Sequence, residues 1–389
     1  MKHKIFGLLI ILFCTAGQAA VVDPSLDFVI HQDYTSIRAL GMGNAFAAVA
    51  DDHSAIFYNP AALARRKEGV VTGTLGGGVS NDYFTLLKDI QDASSQSGSN
   101  GITQITNLLQ ENYGKNFYAN FKWSGMWAMP GWGMAFLPIN LTSSFTPHYQ
   151  GAPSLNVTAY IDTTAAYSWA DNFNWMGKKD KFSFGFTTKM VHRIFFSDTL
   201  NALTLSQGGE VFDQSRAAEG LTFDIDVGTL WTPYISKDSF FSFLEYAKPN
   251  FALVVRNLLD IGYVSNLHLI DPHSNEPTKL NRRIDLGSDW RLPKFWKFDP
   301  HFAFDIREIL HPNWSFKKGV HLGAELYWTM YDWWKGSWSI GLNQGYPSFG
   351  FGARFTLFKL DLAYFGEEAG TADTPIESKR FMLDASLEF

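Results

Sequence analysis

The chain ends on the stretch "RFMLDASLEF", residues 380–389, in which apolar and polar side chains alternate. The odd positions hold the apolar residues Phe381, Leu383, Ala385, Leu387 and Phe389. The even positions hold Met382, Asp384, Ser386 and Glu388. Because successive side chains of a strand point to opposite faces, the stretch is predicted to be a β-strand with one apolar and one mostly polar face. A soluble sandwich and a membrane barrel both contain such strands.

Features of the C-terminal region favour the barrel. The strand stops on Phe389, which resembles the C-terminal signal that the insertion machinery reads in outer-membrane barrels. Upstream, the segments 347–358 and 359–366 alternate in opposite phase, which is typical of two strands joined by a tight turn. A polar loop at 366–379 leads into the last strand. Short turns at one end and longer loops at the other are characteristic of outer-membrane barrels.

The first residues predict export. "MKHK" is a basic start, "IFGLLIILF" is an apolar core, and "CTAGQAA" offers a cleavage site after Ala19. Residues 1–19 are therefore predicted to be a secretory signal peptide, whose apolar core is too short to span a membrane. Phe13 before Cys14 argues against a lipoprotein. Cleavage would remove Cys14, the chain's one cysteine, so no disulfide or thiol site is expected.

The composition is consistent with an exported β-protein. Aromatic residues make up 16% of the chain and charged residues 18%. No run of about 18 apolar residues follows the signal, so no membrane-spanning helix is predicted. The net charge of −6 argues against nucleic acid as a partner. A secreted all-β protein and an outer-membrane barrel remain, and the terminal strand favours the barrel.

Fourteen segments alternate as strands should, and an even number of strands leaves both ends of a barrel in the periplasm. They are 69–79, 116–129, 132–146, 154–170, 181–196, 219–232, 250–258, 282–291, 299–308, 318–330, 337–344, 347–358, 359–366 and 379–389. The predicted fold class is an all-β transmembrane antiparallel barrel over 69–389. The connection 81–115, with two amphipathic helical patterns, and the loop 197–218 are expected to be extracellular. They either shield the rim or form a lid over the mouth.

Tryptophans concentrate near the predicted strand ends, which is expected of two interfacial girdles. They are Trp123, Trp127, Trp132, Trp169, Trp175, Trp290, Trp296, Trp328, Trp333, Trp334 and Trp338. A very aromatic soluble core is the alternative explanation.

The segment "RALGMGNAFAAVADDHSAIFYNPAALA", residues 38–64, differs from the rest of the chain because it is built of small residues. Its motifs resemble the N-terminal segment of the outer-membrane FadL-type family of long-chain fatty acid transporters, and still more that of the related PorV-like barrels. The matching residues are Gly41, Gly43, Asn44, Ala45, Ala50, Asp51, Asp52, Tyr58, Asn59, Pro60 and Ala61. The resemblance implies that residues 20–68 form a hatch inside a fourteen-stranded barrel.

The residues of this segment suit a hatch on physical grounds. A wide barrel leaves a lumen that is either plugged or open. Gly41 and Gly43 permit left-handed backbone or close approach to the wall. Asn59 and Pro60 are predicted to cap and start a short helix. Asp51 and Asp52 are expected to cap a second helix or to bond to the wall; the alternative is a cation site or an acid/base pair.

No sequence motif predicts an enzyme. A nucleophile elbow, a His-Glu-x-x-His pair, a P-loop and a dinucleotide fingerprint are all missing from the sequence. By strand parity, Asp305, Arg307, Glu325 and Arg354 are predicted to face the lumen. Charges inside a barrel are usually solvated or paired, so they are weak indications of catalysis. No cofactor and no metal are expected.

Two functions remain open. The first is passive uptake of hydrophobic small molecules, of the long-chain fatty acid or aromatic hydrocarbon type. Its predicted pocket comprises Phe84, Leu86, Leu87, Leu108 and Leu109, and the resemblance implies a strand-3 hinge at Gly131 and Gly133. The second is a PorV-like partner barrel that binds exported proteins or a secretion or conjugation machine. Outer-membrane lipid and the barrel-insertion machinery are expected partners in either case.

Overall fold

The computed structural model describes residues 28–96, 99–149, 151–173, 180–207, 211–212, 214–236, 238, 240, 242–269 and 274–389. The predicted signal peptide at 1–19, Cys14 and Trp175 lie outside these residues. In the part of the chain that the structure describes, no helix is long and apolar enough to cross a membrane.

Fourteen antiparallel strands close into one barrel, in which each strand pairs with its sequence neighbours and β1 pairs with β14. They are β1 Val70–Ser80, β2 Phe117–Met129, β3 Trp132–Tyr149, β4 Pro153–Phe173, β5 Lys181–Asn201, β6 Ala218–Thr232, β7 Asn250–Arg256, β8 Arg283–Arg291, β9 Phe298–Ile309, β10 Val320–Tyr331, β11 Trp334–Asn343, β12 Tyr346–Phe355, β13 Phe358–Glu368 and β14 Glu377–Glu388. The predicted fold class is confirmed, and each predicted segment coincides with a strand. A two-sheet sandwich is wrong, because the sheet closes on itself.

Within the described residues, six short α-helices accompany the strands. They are α1 Ile37–Gly41, α2 Ala55–Tyr58, α3 Tyr83–Ser94, α4 Ser99–Glu111, α5 Ala202–Ser206 and α6 Phe316–Gly319. Short 3₁₀ helices occupy Pro60–Arg65, Gln214–Arg216 and Ser242–Ala247. Helices α3 and α4 lie in the β1–β2 connection, where the sequence predicts them. Because outer-membrane barrels have short periplasmic turns, we call the end with the two-residue β2–β3 and β10–β11 turns periplasmic and the end with this connection extracellular. The expected loop at 197–218 is shorter in the structure, because β5 continues to Asn201.

The two faces of β14 have opposite environments. On the outer face Phe381 is 45% exposed and Phe389 is 66% exposed. The inward side chains of Met382 and Asp384 are buried. An apolar outer surface around a polar lumen is the architecture of outer-membrane barrels, and this chain is such a barrel. The C-terminal strand therefore lies in the membrane wall with its apolar face toward lipid.

Most of the tryptophans gather at the periplasmic ends of the strands. The ring centroids of Trp127 and Trp132 lie 5.5 Å apart beside the β2–β3 turn, and those of Trp328 and Trp334 lie 5.4 Å apart beside the β10–β11 turn. Trp169 pairs with Trp132 across β3 and β4. The described residues thus form one clear aromatic belt, at the periplasmic interface, where two were expected.

A charge on the outer face of β14 tests this orientation. We expect Leu383→Arg to lower the free energy of unfolding in lipid vesicles by about 2–4 kcal/mol, because it places a guanidinium at the lipid-facing wall. Urea unfolding followed by tryptophan fluorescence measures the effect. The control Leu383→Met conserves the apolar surface and should cost under about 1.5 kcal/mol. Equal stability of the two variants would show that this face does not contact lipid.

Candidate functional site

Residues 28–69 run down the inside of the barrel, and we call them the plug. At the extracellular end, the ammonium of Lys318 donates a hydrogen bond to the carbonyl of Phe28. At the periplasmic end, the guanidinium of Arg65 donates to the hydroxyl of Thr232 at 2.6 Å. Most plug residues are buried. The predicted hatch boundary at 20–68 starts outside the described residues, and movement of the plug as a gate stays a prediction.

Short helices and turns shape the plug. Helix α1 ends at Gly41, and α2 precedes Asn59. The side chain of Asn59 accepts a hydrogen bond from the backbone N–H of Ala61 at 3.1 Å, and Pro60 takes the first helical position. This is the predicted cap and start of the segment "PAALAR", which forms a 3₁₀ helix. The small residues let these turns stack within the lumen.

Two plug glycines allow the backbone of the plug to touch the backbone of the wall. Gly43 has a φ of +62°, and a Cβ there would overlap the Leu322 carbonyl and lie 2.6 Å from the carbonyl oxygen of Leu342. A Cβ on Gly41 would lie 2.6 Å from the Cα of Gly350. Neither position can accept a side chain without displacing the plug from β10–β12.

Arg38 forms the main ionic link between plug and wall. Its Nη2 lies 2.8 Å from Glu325 Oε2 on β10, and its Nη1 lies 2.7 Å from Asp51 and 3.0 Å from Asp52. Asp51 also pairs with Arg291 on β8 at 3.1 Å. The carboxylate of Asp51 thus joins Arg38 to Arg291 of the wall, whereas that of Asp52 bonds within the plug, to Arg38 and to the N–H of Ser54 at 2.9 Å. Both carboxylates are paired with arginine, and their functional roles stay predictions.

The charge of Asp52 is stabilised by this arrangement. Burial by itself raises the pKa of the Asp52 carboxyl, but the guanidinium of Arg38 and the hydrogen bond from Ser54 bring the pKa well below its usual range. Asp52 therefore remains ionised and keeps its ion pair with Arg38.

A second set of contacts holds the turn that follows Gly43. The carboxylate of Asp305 on β9 accepts hydrogen bonds from the backbone N–H groups of Phe46 at 2.7 Å and Ala47 at 2.8 Å. The guanidinium of Arg307 donates to the carbonyl of Asn44 at 2.9 Å. The predicted lumenal orientation of Asp305, Arg307 and Glu325 is confirmed, and all three bind the plug.

Other wall residues bind the plug although no sequence motif marks them. Arg256 on β7 donates to the carbonyls of Phe57 and Tyr58, and the ring of His321 on β10 lies 2.8 Å from the carbonyl of Gly43. Strand parity could have placed these side chains in the lumen, but it could not have named their partners. Arg354 faces the lumen near the periplasmic end, where it pairs with Glu388 at 3.2 Å.

The structure brings four of the five residues of the predicted ligand pocket into one cluster. Leu86 and Leu109 are buried in the apolar cluster beneath α3–α5, with Leu87 and Leu108 packed against it. Phe84 is 69% exposed, because two residues along a helix turn the side chain to the opposite face. The structure thus separates Phe84 from the four leucines, and a ligand site at these residues stays a prediction.

The residues of the predicted strand-3 hinge lie at the start of β3, and a hinge there stays a prediction. Gly131 lies in the β2–β3 turn at φ +83°, where its N–H donates to the carbonyl of Leu63 at 2.9 Å. Gly133 leaves room for the side chain of Ile56. The irregularity in β3 lies further along, between Leu137 and Asn140, where Pro138 lacks the N–H that a regular ladder needs. Proline within a predicted strand was the signal for this break.

On the periplasmic side of this break the wall has apolar residues on both faces, whereas the inward residues at the break itself, such as Asp162 and Thr164, are polar. The inward apolar residues belong to one cluster with Ile56 and Phe57 of the plug, and they are Met126, Ala128, Ala135, Leu137, Ala166 and Ala170. On the outside, an apolar groove of about 590 Å³ is lined by residues that include Trp127, Met134, Phe136, Tyr167, Met190 and Phe223. Strands β2–β4 thus have apolar surface toward both the plug and the lipid, with an incomplete ladder between β3 and β4.

The extracellular half of the lumen is polar and nearly filled. A cavity beside the first plug residues has a volume of about 40 Å³, enough for only a few water molecules. Its lining includes His31, Gln32, Asn120 and Arg380. Among the described residues, no group of three or more His, Cys, Asp or Glu is arranged to hold a metal ion. A ligand of any size can occupy this part of the lumen only if the plug moves.

No family model and no curated protein matches the sequence. Solved structures similar to the chain include a Pseudomonas aeruginosa FadL homologue, with 11% identity, coverage of 93% of this chain and 99% of that chain, and a TM-score of 0.41. They also include the Ralstonia pickettii toluene transporter TbuX, with 9% identity, 92% and 98% coverage, and a TM-score of 0.45. The translocator domain of the autotransporter NalP from Neisseria meningitidis has 8% identity, 83% and 87% coverage, and a TM-score of 0.33. Likeness at this level assigns no function to the chain.

A substitution at Gly43 should loosen the plug. Gly43→Ala places a methyl group against wall backbone at a positive φ, so we expect amide hydrogen exchange in residues 38–64 to speed up by about tenfold or more. The control Gly73→Ala adds the same methyl group where nothing lies within 4 Å. Unchanged exchange in Gly43→Ala would contradict the close fit of plug and wall.

Removing Glu325 should release the plug further. Glu325→Ala leaves the buried charge of Arg38 without its wall partner, which is expected to cost about 3–5 kcal/mol. We expect frequent conducting openings in planar bilayers. Glu377, which lies 3.6 Å from the exposed Lys379, provides the control Glu377→Ala at a cost of about 0–1 kcal/mol. If both variants conduct like the unaltered barrel, the Arg38 pair does not hold the plug.

Proposed function

We propose that the barrel takes up hydrophobic small molecules, with the plug as its gate and the wall at β2–β4 as the exit to the membrane. The apolar surface on both faces of this wall, on the periplasmic side of the break near Pro138, carries the proposal. An apolar molecule gains about 25 cal/mol for each Å² of its surface that stays out of water. An apolar molecule is therefore more stable on a route with apolar surface on both sides than in a charged, water-filled channel.

The path begins at the extracellular cluster under α3–α5. Leu86 and Leu109 belong to it, and Phe145 and Phe196 extend it along the outer faces of β3 and β5, on the same side as Leu141 and Ile194. From this outer face the molecule must enter the polar part of the lumen, which requires that plug residues move aside. Near the periplasmic half, displacement of Ile56 would uncover apolar side chains of β2–β4. The molecule then passes between β3 and β4 into the outer groove.

The ligand class follows from the resemblance of residues 38–64 to FadL-type transporters. It comprises long-chain fatty acids and aromatic hydrocarbons. Of these two ligand classes, the polar lumen favours fatty acids. Their carboxylate can replace a protein carboxylate in an ion pair such as that of Arg291 with Asp51.

A partner barrel is the second candidate. Its supporting observation is a group of exposed apolar side chains on the extracellular helices, including Phe84 and Leu203. Such side chains are available to bind an exported protein. Co-purification from outer membranes separates the two functions: a stoichiometric protein supports the partner barrel, and bound lipid supports uptake.

A disulfide across the proposed exit tests uptake. Ala135 on β3 and Ala166 on β4 are opposite each other, at a spacing that a disulfide can bridge. In a Cys14→Ser background, we expect oxidised Ala135→Cys/Ala166→Cys barrels in proteoliposomes to take up radiolabelled oleate at least about tenfold more slowly, with recovery on reduction.

The matched control ties two strands elsewhere in the wall. Ala363 on β13 and Met382 on β14 are also opposite each other and buried inward. The Ala363→Cys/Met382→Cys barrel should take up oleate normally whether oxidised or reduced. Equal uptake by both oxidised barrels would exclude an exit between β3 and β4, and a lack of saturable oleate or toluene uptake by the unaltered barrel would exclude the proposed function.

A further inference from the structure

The regular barrel wall is incomplete between β6 and β8 in its extracellular half. Strand β7 has 7 residues, whereas a strand needs roughly 9–11 to cross a bilayer. Its pairing with β6 covers only Val227–Trp231. Above that pairing, the apolar side chains of Phe223 and Leu221 continue the outer face of β6. The lipid-facing band of β6 therefore extends beyond the end of β7.

Residues 257–269, which we call the wall segment, occupy the missing part of the wall. Only isolated hydrogen bonds join the segment to the β6 backbone. Leu258 N–H donates to the Ile225 carbonyl at 2.8 Å, and Val264 N–H donates to the Leu221 carbonyl at 3.0 Å. The wall segment is not a strand, so its contact with β6 is weaker than a regular ladder.

Carboxylates on β6 replace part of the missing ladder. Asp226 accepts a hydrogen bond from the N–H of Asn257 at 2.8 Å, and Asp224 accepts one from the N–H of Leu259 at 3.0 Å. These side chains satisfy backbone N–H groups that have no strand partner in the wall, since an unpaired backbone group at this depth is unfavourable in a bilayer. They hold the segment without the cooperative pairing of a sheet.

The backbone of the wall segment is strained. Asn257, Asp260 and His268 have φ values of 51°, 55° and 54°, in the left-handed region that side chains other than glycine disfavour. The segment is also apolar on its outside, where Ile261 is 50% exposed and Val264 is 62% exposed. Strained, sparsely bonded segments open at a lower free energy than sheet strands.

Tyr263 closes the wall segment from within. Its side chain is buried, and its ring lies against Gly220, where a Cβ would come within 2.7 Å of the ring. Its hydroxyl is buried without a hydrogen-bond partner among the described residues. The hydroxyl interacts electrostatically with Arg193 and Asp162 of the lumen. A polar group thus points inward at a wall whose outside is apolar.

We propose that the wall segment is a side entrance from the outer leaflet, closed by Tyr263, for amphiphiles with an apolar tail and a polar head. The tail would replace lipid beside Ile261 and Val264, while the head would meet the polar groups behind Tyr263. The entrance lies beside the extracellular half of β6, whose Phe223 also lines the outer groove of the proposed exit at β3–β4. Its role in uptake rests on the proposed function, but its opening does not.

Cysteine labelling measures the opening independently of transport. Thr222 faces inward behind the wall segment and donates to the Gly262 carbonyl. Thr142 faces inward from β3, within regular pairing to β2 and β4. Both are buried. In a Cys14→Ser background reconstituted in vesicles, we expect Thr222→Cys to react with a lipid-partitioning maleimide about tenfold faster than Thr142→Cys.

Two comparisons make the result decisive. Adding Gly220→Ala, which pushes against Tyr263, should raise the Thr222→Cys rate further, whereas adding Gly73→Ala should not. Equal rates at the two cysteines would overturn the proposal. So would equal reaction of Thr222→Cys with a water-soluble maleimide, because the opening would then lead to water.

The unsubstituted chain provides a measurement that does not depend on the folding of variants. Amide exchange in vesicles should be faster in residues 258–264 than in the paired residues 222–228, and equal protection would overturn the proposal. If labelling is as expected but oleate uptake is absent, the proposed function fails while the opening stands.

Discussion

The buried charge of Arg38 is the constraint on which the position of the plug depends. A guanidinium stays protonated in proteins, and burying it without opposite charges is very unfavourable. Glu325 supplies one carboxylate from the wall, while Asp51 and Asp52 supply two from the plug itself. His301 joins the same network, because its ring nitrogens lie 3.0 Å from Asp289 and 2.9 Å from Glu325. The plug can therefore leave β10 only if these charges find other partners.

The lumen is divided between this charged side and an apolar side. Strands β8–β10 hold the plug by ion pairs and by hydrogen bonds to its backbone, such as those of Asp305. Across the lumen, Ile56 and Phe57 of the plug are packed with the apolar residues of β2–β4. The plug is also hydrogen-bonded on this side, where Lys122 donates to the carbonyl of Thr35 at 2.8 Å and Asn140 donates to that of Asp33 at 3.2 Å. A ligand that separates the plug from β2–β4 must therefore break polar as well as van der Waals contacts.

Much of the fold could be predicted from the sequence because alternation is a local property. The faces of β14 and the number of strands follow from it, and Asn59–Pro60 marks the start of a helix by its own chemistry. Contacts between distant residues were out of reach: nothing near Arg256 indicates that it binds the carbonyl of Tyr58. The hinge at Gly131 and Gly133 rests on resemblance and stays a prediction, whereas Pro138 marks the irregularity in the ladder by its own chemistry.

The most direct test of the account is uptake by a barrel whose plug is tied to its wall. A Cβ built on Gly287 of β8 lies 2.9 Å from the Cβ of Ala47, close enough for a disulfide, which prefers roughly 3.5–4.5 Å, after a small relaxation. Oxidised Ala47→Cys/Gly287→Cys barrels in proteoliposomes should take up no oleate above the rate of empty vesicles, and reduction should restore uptake. Equal uptake in the oxidised and reduced states would show that the plug does not gate the barrel.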